Sequence, residues 1–222
     1  MKVVALLPMK GNSERVPNKN LKDFSGRPLY HRILNTLLDS KYIDEIVINT
    51  DGDRIKEDLS QNYQGKVFIN ERPEEIIGDF VSMNKIIEYD INKVEADLYV
   101  QTHSTNPLLQ AKTLDKAIEK MLNNKGEFDS LFSVTKVQTR LYDEKGNPSN
   151  HNPQELIRTQ DLPPLFEENS SFYIFTRQSF KESGGKRIGV KAQMFEMDKV
   201  EAIDIDQIQD FIIAESIYKL LR

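Results

Sequence analysis

The sequence predicts a three-layer α/β fold around a mostly parallel sheet, and three observations lead to it. Short apolar runs recur through the first 135 residues, each followed by a stretch with helical spacing. The first run, Val3–Leu7, is apolar on both of its alternating faces, as in a strand covered by helices on both sides. Strands that alternate with helices at this spacing pair in parallel through right-handed crossovers. The expected architecture is Rossmann-like.

The elements follow in order. After Val3–Leu7 comes a long polar loop, Met9–Asn20. Leu29–Leu38 places Leu29, Ile33, Leu34, Leu37 and Leu38 at helical spacing. Glu45–Asn49 is a second strand, ending in Thr50-Asp51-Gly52-Asp53; Asp53 is expected to cap a helix near Arg54–Ser60, and Asp51 stays open between capping and function. Lys66–Ile69 is a short third strand. Ser82 is placed to cap a helix over Ser82–Ile91, and Asp97–Gln101 is the fourth strand. Thr113–Leu122 carries Leu114, Ala117, Ile118, Met121 and Leu122 on one helical face, and Ser130–Val134 is the fifth strand. The alternation then breaks. Residues 136–168 hold Lys145-Gly146-Asn147-Pro148, Asn152-Pro153 and Pro163-Pro164 and have little apolar periodicity, so they read as an inserted arm. Phe172–Thr176, Gln193–Glu196 and Ala202–Ile205 are expected as later strands, and Gln207–Leu221 as a closing helix.

Composition bounds the function. The 222 residues contain no repeat and no composition shift, so a single domain, 1–222, with its arm at about 136–168 is expected. Thirty Lys and Arg against 35 Asp and Glu give a net charge of −5, and the pI is about 5.4. No broad nucleic-acid surface is expected from that balance; an anionic ligand needs a local cluster of cations. With no Cys, disulfides, thiolate zinc sites and cysteine nucleophiles are excluded, which suits a reducing cytoplasm. The longest near-apolar run, Val3–Met9, is interrupted by Pro8 and is far too short to span a membrane; neither a signal peptide nor a membrane partner is expected.

The richest segment is Pro8-Met9-Lys10-Gly11-Asn12-Ser13-Glu14-Arg15-Val16-Pro17-Asn18-Lys19-Asn20, at the carboxyl end of the first strand, where parallel sheets bind ligands. Gly11 allows close backbone approach, successive N–H groups can cradle an anion, and Lys10, Arg15 and Lys19 add positive charge, a set suited to a triphosphate. Neither the Walker spacing nor the dinucleotide Gly-x-Gly-x-x-Gly pattern is present. Near the end of the chain Asp204 and Asp206 alternate, so in a strand their carboxylates would point the same way and together hold Mg²⁺. The bland alternative is that Asp206 caps the closing helix, worth ~1 kcal/mol. Of the three histidines, His31 reads as structural, His151 as an exposed arm residue, and His103 alone stands at a strand's carboxyl end. Lys186-Arg187 reads as loop decoration rather than a substrate contact, and Leu165-Phe166 with Phe172-Tyr173 as core or subunit contact. There is no Gly-x-Ser-x-Gly elbow.

The first loop resembles the signature of the CMP-N-acylneuraminate synthetases, cytidylyltransferases that activate sialic acid and related ulosonic acids. Gly11, Ser13, Arg15, Pro17, Lys19 and Asn20 match in register, whereas Lys10, Asn12 and Glu14 stand where that family has Arg, Gly and Lys. Thr50-Asp51-Gly52, Asp79-x-x-Ser82, Arg158 with Leu162-Pro163, Asn169 through Ile174 and Asp204-Ile205-Asp206 are similar to further family segments. The stretch Gln101 to Leu108 departs from the family, so either Gln101 or His103 takes the place of its sugar-facing Gln.

The resemblance implies transfer of CMP from CTP to the anomeric hydroxyl of an acidic ulosonic sugar, with release of pyrophosphate. Lys10, Arg15 and Lys19 would neutralise the phosphates, and Asp204 and Asp206 would hold Mg²⁺. Ser82 and the Gly11–Asn12 backbone would meet the cytosine end, with Ser13 and Asn20 in the same nucleotide loop. Gln101 or His103, Arg158 and Asn169 would face the sugar, Arg158 gripping its carboxylate bidentately. The general base is not assigned. A homodimer built through the arm is implied, since residues 136–168 have too little apolar periodicity to pack alone. The acceptor could instead be Kdo or a deaminated or diamino nonulosonate. A reading of another class is a nucleotide-sugar glycosyltransferase, to which Asp-x-Asp is suited, or a nucleotide-binding paralogue without turnover.

Overall fold

The computed structural model describes residues 1–124, 126–155 and 157–221. Seven strands form one sheet in the order β3-β2-β1-β4-β6-β5-β7. They are β1 (Val3–Met9), β2 (Glu45–Thr50), β3 (Phe68–Glu71), β4 (Leu98–Thr102), β5 (Ser130–Val137), β6 (Leu165–Phe175) and β7 (Ala192–Glu196). The helices are α1 (Tyr30–Leu38), α2 (Asp53–Asn62), α3 (Met83–Lys93), α4 (Ala111–Asn123), α5 (Arg177–Glu182) and α6 (Ile208–Leu220). All strand pairs are parallel except those of β6 with β4 and β5. The expected α/β class and mostly parallel sheet are therefore borne out.

Strand alternation sorts the side chains into layers. Val3, Ala5, Leu7 and Met9 of β1 pack on α1, α2 and α4, while Val4 and Leu6 pack on α3 and α5. Pro8 is tolerated in this central strand because it lies beyond Leu6↔Gln101, the last pair with β4. A third cluster fastens α6 against Phe24, Leu29, Leu108 and Ile205 through Phe211 and Ala214.

The structure corrects several expectations. Ala202–Ile205 is not a strand. Its neighbour is the loop after β4 rather than a strand; one backbone bond, Ile205 N–H to the Thr105 carbonyl at 2.9 Å, joins them. Asp53 does not cap α2. Gly52 occupies the cap position, and Asp53 is the first helical residue, paired with Lys56 at 3.1 Å. The cap position of α6 belongs to Gln207 rather than Asp206. Ser82 does occupy the cap position of α3, without a side-chain bond to the helix. Both ends of the expected arm are strand, since β5 runs to Val137 and β6 starts at Leu165; Leu156, within the arm, lies outside the described residues. The helix α5, opened by the Thr176–Ser179 capping box, had no apolar periodicity to announce it.

Candidate active site

The loop after β1 is held in a single shape. Val16 is buried and anchors its middle, and Asn18 takes the left-handed conformation, which Asn tolerates. Asn20 joins three segments: its Nδ2 donates to the Lys10 carbonyl at 2.9 Å, and its Oδ1 accepts from Ser104 Oγ at 2.7 Å. The Gly11 N–H donates to Asp51 Oδ1 at 2.7 Å. Gly11 also passes so close to Gly52 that a Cβ on either would stand 2.7 Å from the other's Cα. Both glycines exist for this crossing of two backbones.

Lys10, Asn12, Ser13, Arg15 and Lys19 line one cleft of about 260 Å³ together with Asp79 and Met83. Lys10 pairs with Asp79 at 2.8 Å and Arg15 with Asp206 at 2.8 Å. These exposed pairs are worth little each, so an arriving polyphosphate can replace their carboxylates. Lys19 is buried, and its Nζ donates to the Ile205 carbonyl at 2.5 Å. Desolvation pulls its pKa down, while Asp204 and Asp206 push the other way. Asp204 keeps an exposed edge, yet its pKa is raised, first by desolvation and also by the nearby Asp206 charge, against a hydrogen bond from Thr105. The two aspartates thus meet electrostatically even though no strand aligns them.

A second group forms on the sheet face that packs against α3. Gln101 is buried, with Nε2 on the Thr102 carbonyl at 2.7 Å and Oε1 accepting from Arg187 Nη1 at 2.5 Å. His103 Nε2 lies 3.4 Å from the same Nη1. Its pKa is lowered to about 4, by burial first and by the Arg187 charge second, so the imidazole is neutral at pH 7. Gln101 and His103, read as alternatives, converge on one guanidinium. Arg187, read as loop decoration, is therefore the residue sequence reasoning missed; its partner Gln101 is 86 positions away.

The other expected residues are placed differently. Asn169 is tied into the β5–β6 pair, accepting from Ser133 Oγ at 2.6 Å and donating to Thr135 Oγ1 at 2.9 Å. Arg158 is exposed on the arm and holds Asp161 at 2.7 and 3.0 Å; it is not brought to the cleft. Ser82 lines a separate groove against α5. His31 is buried against Asp58 at 2.6 Å, a structural place as expected, and His151 bonds Tyr142 in the arm. Tyr173 and Phe172 are core, whereas Leu165 and Phe166 stay exposed.

Behind the loop lies a buried network that the sequence did not announce. Asp90 Oδ1 accepts from Asn49 and Asn70 at 2.6 Å each. Arg72 donates Nε to Asn49 Oδ1 at 2.7 Å and stands 3.9 Å from Asp51, the acceptor for Gly11. Burial raises the Asp90 pKa to about 6, against the two asparagine bonds and the Arg72 charge. Among the described residues no group of three or more His, Cys, Asp or Glu could hold a metal, and no helix is long and apolar enough to cross a membrane.

Comparison with known proteins places this geometry. The cytidylyltransferase family matches residues 4–220. The pseudaminic acid cytidylyltransferase of Campylobacter jejuni subsp. jejuni serotype O:2 is 28% identical over 240 residues, 99% of this chain and 97% of that protein. The N-acylneuraminate cytidylyltransferase of Oncorhynchus mykiss is 32% identical over 220 residues, 96% of this chain and 49% of that protein. A solved CMP:2-keto-3-deoxy-manno-octonic acid synthetase complexed with CTP superposes with a TM-score of 0.73 at 14% identity, covering 100% of both chains. A 4-diphosphocytidyl-2C-methyl-D-erythritol synthase from Anaerococcus prevotii gives 0.68 at 13%, covering 98% of this chain and 96% of that one. Both structures share the fold.

Proposed function

The chain belongs to the cytidylyltransferase family and is a CTP-dependent nucleotidyltransferase; from that premise we propose that it transfers CMP from CTP to the anomeric hydroxyl of a sialic-acid-like ulosonic acid, releasing pyrophosphate. The observation that carries this reading is the convergence of Lys10, Arg15 and Lys19 with Asp204 and Asp206 around the first loop. Such transfers need placement and charge stabilisation more than covalent help from protein. Asn12 and Ser13 offer backbone N–H groups and a hydroxyl to the nucleotide, Gly11, whose own N–H is taken by Asp51, allows the close backbone approach, and Asn20 keeps the loop in shape. Lys10 and Arg15 neutralise charge as it develops on the leaving pyrophosphate, and Lys19, held between the loop and Ile205, supports both the phosphates and the aspartates. Gln101 and His103 lie towards the acceptor, whereas Asn169 spends its amide on Ser133 and Thr135 and braces the β5–β6 pair. Ser82, in a separate groove against α5, and Arg158, held by Asp161 on the arm, are not brought to the cleft and take no role in this reading.

Two neighbouring carboxylates fit Mg²⁺, which is usually held by one or two carboxylates together with phosphate oxygens and water. Asp204 and Asp206 would hold it, and when bound it supplies positive charge against the phosphates. We also propose a homodimer through the arm, whose Tyr142, Ile157, Leu165 and Phe166 are exposed. The place of action is the cytoplasm, where CTP is made.

The acceptor has a second reading. The Campylobacter jejuni relative, matched along nearly its whole length, is named for pseudaminic acid, which favours a diamino nonulosonate over N-acetylneuraminate. The test is pyrophosphate release from CTP and Mg²⁺ with pseudaminate, legionaminate, N-acetylneuraminate, deaminated neuraminate and Kdo in turn. Release with one acid is expected. Release with none of them would overturn the reading, and consumption of a nucleotide sugar would move it to a glycosyltransferase.

A further inference from the structure

Arg187 lies outside the phosphate cleft, yet it is built like a recognition residue. Its guanidinium stacks on the Tyr173 ring, 4.0 Å from the centroid. Tyr173 is itself fixed through its hydroxyl by Glu168 and Ser170. Nη1 is occupied by Gln101 Oε1 at 2.5 Å and faces His103 Nε2 at 3.4 Å. The plane, one face and one corner of the fork are therefore set. The Nε and Nη2 edge has no hydrogen-bond partner among the described residues; the Glu168 charge reaches this cation, but no carboxylate among those residues makes a contact ion pair with it.

The direction of that edge matters because of where the group sits. On β1, Val4 and Leu6 face α3, and Lys10, just past the strand end, pairs with Asp79 in the segment leading into α3. On β4, Tyr99 faces α3 as well, which brings Gln101 into line with it, and His103, just past the strand end, meets the same Arg187 Nη1. Tyr173 belongs to the same face of β6. β4 lies directly beside β1, and β6 beside β4. Arg187 thus occupies the α3 side of the sheet next to the phosphate cleft, and Ser104 and Thr105 of that cleft follow His103 directly.

We propose that Arg187 holds the carboxylate of the acidic acceptor through its Nε and Nη2 edge, with Gln101, His103 and Tyr173 as positioning residues. This rests on the ulosonate reading above. A planar fork matches a carboxylate side-on, as a lysine cannot. A partly desolvated cation without a paired anion binds an arriving one strongly, because less water must be displaced. The low pKa of His103 agrees with a neutral imidazole that leaves this charge undiminished and adds no second cation.

The test is steady-state pyrophosphate release by the wild type, Arg187→Gln, Arg187→Lys and Arg158→Gln. CTP, the best acid and the methyl ester of that acid are varied separately. For Arg187→Gln the KM for the acid is expected to rise roughly 10- to 100-fold, as for loss of charged hydrogen bonds. The KM for CTP should hold, and the preference for acid over ester should vanish. Arg187→Lys keeps the charge without the fork and should lose several-fold; it decides the matter if Arg187→Gln does not fold. An unchanged acid KM and an intact preference for acid over ester in a folded Arg187 variant overturn the assignment. So does loss of that preference in Arg158→Gln instead, which moves the carboxylate to the arm. Turnover by the wild type with none of the acids overturns the ulosonate reading itself, and this assignment with it.

Discussion

At Gly11 and Gly52 two backbones pass with no room for a Cβ, and neither neighbour is a side chain that can swing away. Gly52→Ala is expected to cost about 1–3 kcal/mol, as overpacking does, and to weaken CTP binding by displacing the loop that Asp51 holds. Thermal unfolding and CTP calorimetry check this; an unchanged melting temperature with unchanged affinity would contradict the crossing. Asp90 makes a pH prediction. Its pKa is raised from 3.8 to about 6 in the folded chain, so the folded state binds this proton more tightly than the unfolded one. Its favourable contribution is complete below about pH 4 and is lost as the pH rises through about 6. Two units correspond to at most about 3 kcal/mol. Asp90→Asn keeps the Oδ1 acceptor for Asn49 and Asn70 and cannot ionise, so it should remove this fall in stability between pH 4 and 6. Denaturant melts across that interval test it, and parallel curves for wild type and variant would remove Asp90 as the cause.

Among the elements, α6 bears most on the proposed site. Asp210 Oδ2 accepts from the Gln207 N–H at 2.7 Å and the Asp206 N–H at 3.1 Å, so the helix start holds the end of the acidic segment. Asp210→Ala should cost about 1 kcal/mol, as loss of a helix cap does, and should lower turnover more than stability alone explains, because Asp206 is freed. Phe211 anchors the same helix on Phe24 and Ile205; Phe211→Ala should cost about 3–5 kcal/mol and carry turnover down with it. Melting curves read beside Mg²⁺-dependent pyrophosphate release separate the two effects. The acidic segment itself is an irregular crossing rather than a strand. Alternating residues next to an apolar pair look like a strand in any sequence, but a ladder needs a neighbouring strand, and here the neighbour is the loop at Thr105.

For the whole molecule the prediction concerns assembly. Light scattering at micromolar concentration should give twice the 25.7 kDa chain mass. Introducing charge at the exposed Leu165 and Phe166, as Leu165→Glu with Phe166→Glu, should return it to one chain. A single-chain mass for the wild type would remove the dimer. The site also follows from the assembly of the sheet. Its residues come from the loop after β1, from the ends of β2 and β4, from the segment before α6 and from Arg187, and only the strand order β2-β1-β4-β6 brings them side by side.

The sequence by itself determined the class of the fold and the location of the glycine- and lysine-bearing loop after β1. Both are written locally: apolar periods of two and 3.6 mark strands and helices, and the order Gly11, Ser13, Arg15, Lys19, Asn20 lies within one turn after a strand. The tertiary structure alone decided that β6 runs against its neighbours, that Gln101 and His103 share one guanidinium, and that Arg72 and Asp90 stand behind the loop. The same holds for the surroundings of Arg187. As one residue in a glycine-rich loop it reads as surface, and only burial against Tyr173 and Gln101 removes its water. Periodicity records which face of an element is apolar, whereas desolvation of a charge depends on residues far away in the chain.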